Sequence, residues 1–269
     1  MTTTLGTTVT TVKTTSTTKP TTTTTTTTTK TQPTTTTTTV PKVSLTGKSA
    51  LFVGDSIAYG HLTYGQGFAY CVKQAWGLKT AASGATSGAE VTSRVGGDLY
   101  VYNQLKKFAS QEFDYVLLQG GVNDAAAKPL YPEGVPLGTL SNDDNYDDTT
   151  FAGALEKEIA FALETWPDAK IGYIITFDIN TPAQRPRMRE YVEMTRTVCE
   201  KWNIPTLDLY DGKLWPSEDG NSMITIGELF NTGHGANAFV GDGVHPAKLG
   251  YQVLAKCIGD FMSSLPERN

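Results

Sequence analysis

Short apolar runs alternate with amphipathic stretches from about residue 43 to the C-terminus. The runs have the length and the β-branched content of strands, and the stretches between them have helical periodicity. The predicted strands are Ser49–Val53, Thr80–Ala82, Asp114–Gln119, Lys170–Phe177 and Pro205–Asp208. The predicted helices are Gly67–Trp76, Leu99–Phe108, Phe151–Thr165, Ala183–Trp202 and Ala247–Ser263.

This alternation predicts the fold class. Strands that are each followed by a helix form right-handed crossovers, and such crossovers build a mainly parallel sheet. The run Asp114–Gln119 is apolar without interruption, as expected for a strand buried on both faces. We therefore expect an α/β protein with a three-layer α/β/α sandwich.

The first 42 residues differ from the rest in composition. They are mostly threonine, interrupted by a few lysines and prolines. Such a segment lacks the apolar side chains needed to offset the entropy of ordering it. We predict a disordered, Thr-rich linker over residues 1–42 and one domain over residues 43–269. Because a linker joins modules, we expect it to tether the domain to other modules of a larger secreted protein.

Net charge and apolar content limit the classes of partner that we expect the protein to bind. The net charge is −5 and no basic stripe is present, so we expect no nucleic-acid partner. No apolar run is long enough to span a bilayer, and we expect no membrane partner. Three cysteines, Cys71, Cys199 and Cys257, fall in predicted helices and make no disulfide framework. Buried free thiols are the favoured interpretation, and one bridge stays open.

The sharpest local pattern is Gly54-Asp55-Ser56, directly after the first predicted strand. A glycine lets the chain turn without a Cβ. Ser56 would then stand at the carboxyl edge of the sheet, where open α/β sheets bind ligands. This is a suitable place for a nucleophile. The alternative is an ordinary turn, for which these three residues are also typical.

A serine nucleophile needs a base, and histidine is the usual one near neutral pH. The chain has three histidines, His61, His234 and His245. Only His245 has an acidic residue three positions before it, namely Asp242. That spacing allows one turn to present a carboxylate and an imidazole together. The alternative is plain loop material.

Two further polar positions follow predicted strands. Asn123 comes after Asp114–Gln119, and Gly84 comes after Thr80–Ala82. The side-chain amide of the first and the backbone N–H of the second could stabilise an oxyanion. Taken singly, each is better explained as an Asx-turn or a turn glycine. Since the carboxyl ends of parallel strands share one edge, all the candidates can converge.

Together, these residues resemble the motifs of the GDSL, or SGNH, hydrolase family. The resemblance covers essentially Ser49 to Ser263. The matching blocks are Gly54-Asp55-Ser56, Ser83-Gly84, Gly121-Val122-Asn123-Asp124 and Asp242-Gly243-Val244-His245-Pro246. The second block departs from the family pattern. Many members have an asparagine shortly before the glycine, whereas this chain has Ala81-Ala82-Ser83. Gly88 is therefore an alternative to Gly84.

The resemblance implies a flavodoxin-like sheet and ester hydrolysis through an acyl-enzyme. By position, Ser56 is the nucleophile, His245 the general base and Asp242 the residue that orients it. The oxyanion hole consists of the Ser56 N–H, the Gly84 N–H and the Asn123 amide. No metal or organic cofactor is implied.

The substrate is less constrained. The linker resembles those joining modules of secreted enzymes that degrade plant polysaccharides, and several similar hydrolases deacetylate xylan. We expect an acetylated polysaccharide, or a small ester, as substrate. The alternatives are a lipid-directed esterase, thioesterase or lysophospholipase, and a non-catalytic carbohydrate-binding module. Four aromatic residues near the motifs would stack on sugar rings or simply pack: Tyr59, Tyr64, Trp215 and Phe239.

An acidic segment, residues 142–148, precedes the predicted helix Phe151–Thr165. Carboxylates cluster there, as in calcium sites. Acidic residues are also typical of helix starts, where they cap N–H groups and face the positive end of the dipole. The capping interpretation is favoured, and calcium stays the alternative.

Overall fold

The computed structural model describes residues 42–179, 181, 183–231 and 239–268. Its centre is a five-stranded parallel sheet with the order β2-β1-β3-β4-β5. The strands are β1 (Ser49–Val53), β2 (Thr80–Ser83), β3 (Tyr115–Gln119), β4 (Lys170–Ile175) and β5 (Thr206–Asp208). This is the flavodoxin-like order, in which the direction of winding reverses between β1 and β3.

The burial of the strands shows that the sheet is the middle layer of the domain. All residues of β3 and β4 are buried, as expected for strands covered on both faces. The edge strands β2 and β5 are only partly buried. In the register, Leu51 of β1 lies beside Ala82 on one side and Val116 on the other. The carboxyl ends of β1, β2 and β3 therefore lie next to one another.

Helices cover both faces of the sheet. The C-terminal helix packs against α2 and against β4 and β5, whereas α3, α4 and α5 pack together on the other side. The helices are α1 (Ser56–Tyr59), α2 (Phe68–Trp76), α3 (Val101–Lys106), α4 (Phe151–Thr165), α5 (Met188–Lys201), α6 (Ile226–Asn231) and α7 (Lys248–Ser264). The three-layer α/β/α prediction is confirmed.

The sequence pattern located the main elements but not all their ends. The helix expected from Ala183 begins only at Met188, because Pro186 lacks the N–H that a helix interior needs. The helix expected over Leu99–Phe108 is a 3₁₀ turn at Gly97–Leu99 followed by α3. The pattern did not reveal α1, α6 or the antiparallel hairpin of β6 (Lys213–Pro216) and β7 (Met223–Thr225).

The chain enters and leaves this domain at one place. The backbone N–H of Val43 donates to the carbonyl of Ser263, with 2.9 Å between N and O. Beside it, Lys42 forms an ion pair with Asp260 at 2.5 Å. The predicted linker lies outside the described residues except for Lys42. Its disorder therefore stays a prediction.

The three cysteines are free thiols in helices. Cys199 and Cys257 are buried, and burial raises their pKa to about 12 and about 11. Cys71 is half-buried, and its Sγ donates to the carbonyl of Gln66 at 3.3 Å. No helix in the described part of the chain is both long enough and apolar enough to cross a membrane.

The acidic segment makes local contacts at the start of α4. Asp147 accepts hydrogen bonds from the N–H and hydroxyl of Thr149. Asp148 forms an ion pair with Lys157 at 2.5 Å. Thr150 is the N-cap of α4, with its hydroxyl accepting from Gly153 N–H. Over the described ranges no three His, Cys, Asp or Glu side chains form a metal-binding group.

Candidate active site

The candidate nucleophile, Ser56, follows a tight turn in which the position of Gly54 has no room for a side chain. Gly54 follows β1 with φ of +151°, and a Cβ at this position would lie 2.5 Å from Gln119 Oε1. Asp55 is the N-cap of α1 and accepts from Ile57 N–H at 2.8 Å. Ser56 is the first residue of α1 and is 6% exposed.

Two buried glutamine side chains hold this turn. Gln104 accepts from the N–H of Gly54 at 2.9 Å and donates to its carbonyl at 3.0 Å. Gln119 accepts from Asp55 N–H at 3.1 Å and donates to Asp55 Oδ2 at 3.0 Å. It also donates to Thr176 Oγ1 at 2.9 Å. Because the buried polar groups of Gly54 and Asp55 have partners, the conformation of the turn is well defined.

Asp55 has no exposed surface. Complete burial raises the pKa of its carboxyl, and the hydrogen bonds from Ile57 N–H and the Gln119 amide only partly oppose this. The carboxylate is thus engaged in shaping the turn. It has no free lone pair directed at a second catalytic group.

Ser56, His245 and Asp242 form one hydrogen-bonded chain. Nε2 of His245 lies 2.8 Å from Ser56 Oγ, and Nδ1 lies 2.7 Å from Asp242 Oδ2. The other oxygen of Asp242 accepts from the backbone N–H groups of Val244 and His245, at 3.0 and 2.7 Å. The spacing of three residues therefore brings carboxylate and imidazole together, as predicted. The arrangement can move a proton from the hydroxyl to the ring.

Asp242 differs electrostatically from Asp55. Its side chain is 42% exposed, against 17% for His245. Partial burial by itself raises the pKa of Asp242. The hydrogen bonds from the His245 ring and from the N–H groups of His245 and Val244 outweigh burial and lower it. The carboxylate therefore stays ionised near neutral pH, in contact with the ring that would carry the proton.

Asn123 lies in the turn after β3, at the same edge. One N–H of its side-chain amide donates to the carbonyl of Ala89 at 2.9 Å, which fixes the amide and leaves its second N–H for a ligand. The neighbouring Asp124 is fully buried and accepts from the N–H groups of Val91 and Thr92, each at 3.1 Å. Burial raises the pKa of Asp124 to about 6 against these hydrogen bonds.

Gly84 is wrong as an oxyanion donor. Its N–H continues the sheet and donates to the carbonyl of Phe52 at 2.8 Å. Its Cα faces the core, where a Cβ would meet Val53 and Gln104 at 3.1 and 3.2 Å. A donor occupied by the β-ladder cannot serve a substrate.

Gly88 replaces it. This glycine is exposed, has a φ of +84° and directly precedes Ala89, which holds Asn123. Among the described residues its N–H has no hydrogen-bond acceptor. The use of the Gly84 N–H depends on the register, in which Phe52 pairs with Ser83 and the ladder extends through the next residue. A free N–H must then come from further along the loop.

The sequence does not indicate a role for His61, because no acidic residue lies three positions before it. The structure nevertheless places it at the site. Its ring centroid lies 4.6 Å from that of His245, at an interplanar angle of 38°. Its Nδ1 lies 3.0 Å from Ser87 Oγ, in the residue before Gly88. His61 therefore touches both the candidate base and the loop of the candidate oxyanion donor. His234 lies outside the described residues.

The four aromatic candidates occupy two different places. Tyr59 and Tyr64 lie just after the nucleophile turn, 38% and 95% exposed. Trp215 and Phe239 line a separate cavity of about 600 Å³ together with Leu229. There both rings are half-buried and pack against the core. Only the two tyrosines are placed beside His61 and free to contact a ligand.

Comparison with solved structures finds the same fold in bacterial proteins. A protein from Lactobacillus plantarum is 22% identical, with a TM-score of 0.60 over 81% of this chain and 98% of that chain. A lipase/acylhydrolase from Enterococcus faecalis is 21% identical, with a TM-score of 0.51 over 82% and 99%.

A variant of Axe2, an acetyl-xylooligosaccharide esterase from Geobacillus stearothermophilus, is 19% identical, with a TM-score of 0.52 over 82% of this chain and 96% of that chain. At such identities the similarity concerns the fold alone. No curated protein sequence matches the chain.

A family model settles the relationship that the geometry suggests. The model of the GDSL-like lipase/acylhydrolase family matches residues 52–253, about three-quarters of the chain. The match begins in β1 and ends in α7, so it includes the nucleophile turn, Asn123 and the Asp242–His245 loop. The chain belongs to the GDSL-like lipase/acylhydrolase family, a family of hydrolases that act on esters.

Proposed function

We propose that the protein is a serine esterase that works through an acyl-enzyme. Ser56 Oγ attacks the acyl carbon while His245 Nε2 accepts its proton. His245 then returns that proton to the leaving alcohol, and Asp242 stabilises the imidazolium between the two transfers. Water then hydrolyses the acyl-enzyme with His245 again as the base. The observation that carries this proposal is the unbroken Ser56–His245–Asp242 hydrogen-bond chain.

Three N–H groups would stabilise the tetrahedral oxyanion. These are the backbone N–H of Ser56, the backbone N–H of Gly88 and the free amide N–H of Asn123. Each donor of this kind contributes roughly 3–4 kcal/mol to the lowering of the barrier. The donors come from three adjacent strand ends, so the sheet itself preorganises them.

We propose acetyl groups on a plant cell-wall polysaccharide, such as acetylated xylan, as the substrate. Support comes from polar neighbours of the nucleophile, namely His61, Ser87 and Asn123, and from the exposed rings of Tyr59 and Tyr64. Aromatic faces next to hydrogen-bonding side chains suit sugar rings better than an acyl chain.

A groove beside the nucleophile helix supports the same substrate class. It measures about 400 Å³ and runs between α2 and α7. Its floor includes Tyr251, whose hydroxyl donates to the carbonyl of Ile57 in α1 at 2.7 Å. Polar side chains that suit sugar hydroxyls line it: Thr63, Gln66, Tyr70, Gln74, Lys248 and Gln252.

The rival enzymatic function is a lipid-directed esterase, thioesterase or lysophospholipase. It would need a broad apolar surface for a long acyl chain beside Ser56, whereas the neighbours named above are polar. A non-catalytic carbohydrate-binding module is the rival from another class. It would not need the Ser56–His245–Asp242 chain to be intact.

The location and partners of the protein belong to the same proposal. A polysaccharide of the plant cell wall is met outside the cell, and the Thr-rich linker over residues 1–42 is typical of exported modular enzymes. We propose a secreted protein, tethered by this linker to other modules, with neither nucleic acid nor membrane as partner.

One assay tests the proposal. The protein is incubated with acetylated xylan and, separately, with an octanoyl lipid ester, and the free acid released from each is measured. We expect acetate release and little octanoate. Ser56→Ala should abolish both while the melting temperature stays unchanged. Octanoate as the main product would favour the lipid esterase, and binding to insoluble xylan without acetate release would favour the binding module.

A further inference from the structure

The side chain of Arg185 is hydrogen-bonded to the residue before Asn123, the candidate oxyanion donor. Arg185 belongs to the segment between β4 and α5. Its Nε donates to the carbonyl of Val122 at 3.2 Å, and Val122 directly precedes Asn123. Its Nη1 donates to Thr181 Oγ1 at 2.9 Å. Nη1 also donates to Gln184 Oε1 at 3.4 Å. The guanidinium is therefore fixed in orientation while the two N–H groups of Nη2 remain for a ligand.

This guanidinium has no carboxylate partner. The nearby arginines do, since Arg187 pairs with Glu190 and Arg189 pairs with Asp211. Within the described ranges no acidic group comes within ion-pair distance of Arg185, although its side chain is half-buried. Burying a charge without a partner costs free energy, and burial lowers the pKa of Arg185. A bound anion would remove that cost.

The charges that act on Arg185 belong to the active site. The carboxylates of Asp55 and Asp242 favour its charged form and oppose the effect of burial on its pKa. The hydrogen bond to the carbonyl of Val122, the residue before Asn123, places the guanidinium at the same sheet edge as the catalytic centre. Neither acid can pair with it. Asp55 is buried with Ile57 N–H and Gln119, and Asp242 is bound to His245.

Other cations lie along the same segment. The backbone N–H of Ala127 donates to the carbonyl of Gln184, which brings the segments of Lys128 and Arg185 together. Burial, and after it the charge of Arg185, lower the pKa of Lys128. Lys128 pairs with the buried Glu90, and Arg94 Nη1 lies 4.0 Å from the same carboxyl group. The carboxyl group of Glu90 thus faces two cations, whereas Arg185 has no such partner among the described residues.

We infer that Arg185 binds a carboxylate of the substrate, and that the preferred substrate is an acetylated oligosaccharide bearing a uronic acid. The N–H groups of Nη2 can donate to a carboxylate, and the charge of the guanidinium strengthens such hydrogen bonds. The acidic sugar would lie at the Asn123 side of the cleft while the acetyl ester reaches Ser56. This inference rests on the proposed esterase function and specifies its substrate.

The test compares two oligosaccharides that differ only in charge. Acetylated xylooligosaccharides with and without a glucuronic acid branch are assayed for acetate release, and 4-nitrophenyl acetate serves as a small ester. For the unmodified protein we expect kcat/KM about 10-fold higher on the acidic oligosaccharide, mostly through KM. This preference should shrink as salt is raised, because charge attraction is screened.

Variants locate the effect. Arg185→Gln should bring the acidic oligosaccharide down to the level of the neutral one, and Arg185→Lys should give an intermediate preference. Arg187→Gln, next in the chain but paired with Glu190, should keep the full preference. Equal activity of the unmodified protein on both oligosaccharides, or a preference retained in Arg185→Gln, overturns the inference and leaves the esterase proposal standing. Hydrolysis of 4-nitrophenyl acetate without acetate release from either oligosaccharide overturns the polysaccharide substrate as well.

Discussion

The strand-end turns and the Asp242–His245 loop both depend on aspartates, but these aspartates differ in burial and in the direction of their pKa shift. Asp55 and Asp124, in the turns after β1 and β3, are completely buried and have raised pKa values. Asp242 lies in a surface loop, is 42% exposed, and has a lowered pKa. The first two shape the backbone that presents Ser56 and Asn123. The third stays ionised and available to an imidazole.

This difference shows which contacts hold each part of the site in place. The nucleophile turn is fixed by the core through Gln104 and Gln119. The Asp242 loop is fixed mainly by its own hydrogen bonds to Val244 and His245. Changes in the turn should therefore affect stability and activity together, whereas changes in the loop should affect mainly activity.

The largest expected effect comes from Asp242→Asn. The amide cannot stabilise the imidazolium in the same way, and it favours the wrong tautomer of His245. We expect kcat to fall by about 10⁴-fold, with only a small loss in the free energy of unfolding, because the carboxylate is largely exposed and its hydrogen bonds lie within the loop. Rate assays on 4-nitrophenyl acetate and urea unfolding measure the two quantities. Asp168→Asn, at an exposed turn position after α4, is the matched control and should change neither. A large loss of stability in Asp242→Asn would contradict the comparison.

Gln119→Leu should affect both properties. The change removes the Gln119 partner of the Asp55 N–H, of Asp55 Oδ2 and of the Thr176 hydroxyl in the core. We expect the free energy of unfolding to fall by about 3 kcal/mol, and kcat to fall as Ser56 loses its fixed position. Gln111→Leu, at an exposed position, is the control. Full activity in a destabilised Gln119→Leu would show that the turn holds its shape without the core.

The two kinds of aspartate should also differ in pH dependence. The pKa of Asp124 is raised to about 6 in the folded state, so folding binds its proton more tightly. Its stabilising contribution is present below its ordinary pKa of 3.8 and is lost as the pH rises through about 6, by roughly 3 kcal/mol. Asp242 has the opposite sign, because its lowered pKa makes its contribution disappear as the pH falls.

Urea unfolding of the protein and of Asp124→Asn from about pH 4 to 7 checks this. The difference between the two free energies of unfolding should change over that range in favour of the variant as the pH rises. Two parallel curves would mean that Asp124 titrates alike in the folded and unfolded chains.

The smallest expected effect concerns His61, which joins the two regions. It contacts the ring of His245 and hydrogen-bonds Ser87 before Gly88. We expect His61→Ala to lower kcat about 10-fold, or ~1.4 kcal/mol of barrier, with KM for 4-nitrophenyl acetate unchanged. His61→Gln can still bond Ser87 and should recover part of the rate. Additive losses in His61→Ala combined with Ser87→Ala would argue against a coupled pair.

The sequence predicted the features that depend on local patterns, but not those that depend on how distant segments pair. The parallel sheet and the meeting of Ser56 with His245 followed from strand–helix alternation and from motifs at strand ends. The N–H of Gly84 did not follow, because its use depends on the register of β2 against β1. His61 was missed because its contacts lie far away in sequence. The β6–β7 hairpin was missed because its strands lack clear alternation of apolar and polar residues.

The contact between Val43 and Ser263 has a consequence for engineering. The helix α7 starts beside His245 at the catalytic edge and is about 25 Å long. Its end, and the entry of the chain next to it, therefore lie at the opposite pole of the sheet. A short peptide could join these two points without strain. New termini could then be opened in the exposed turn around Gly220, giving a circular permutant that keeps the whole catalytic edge intact.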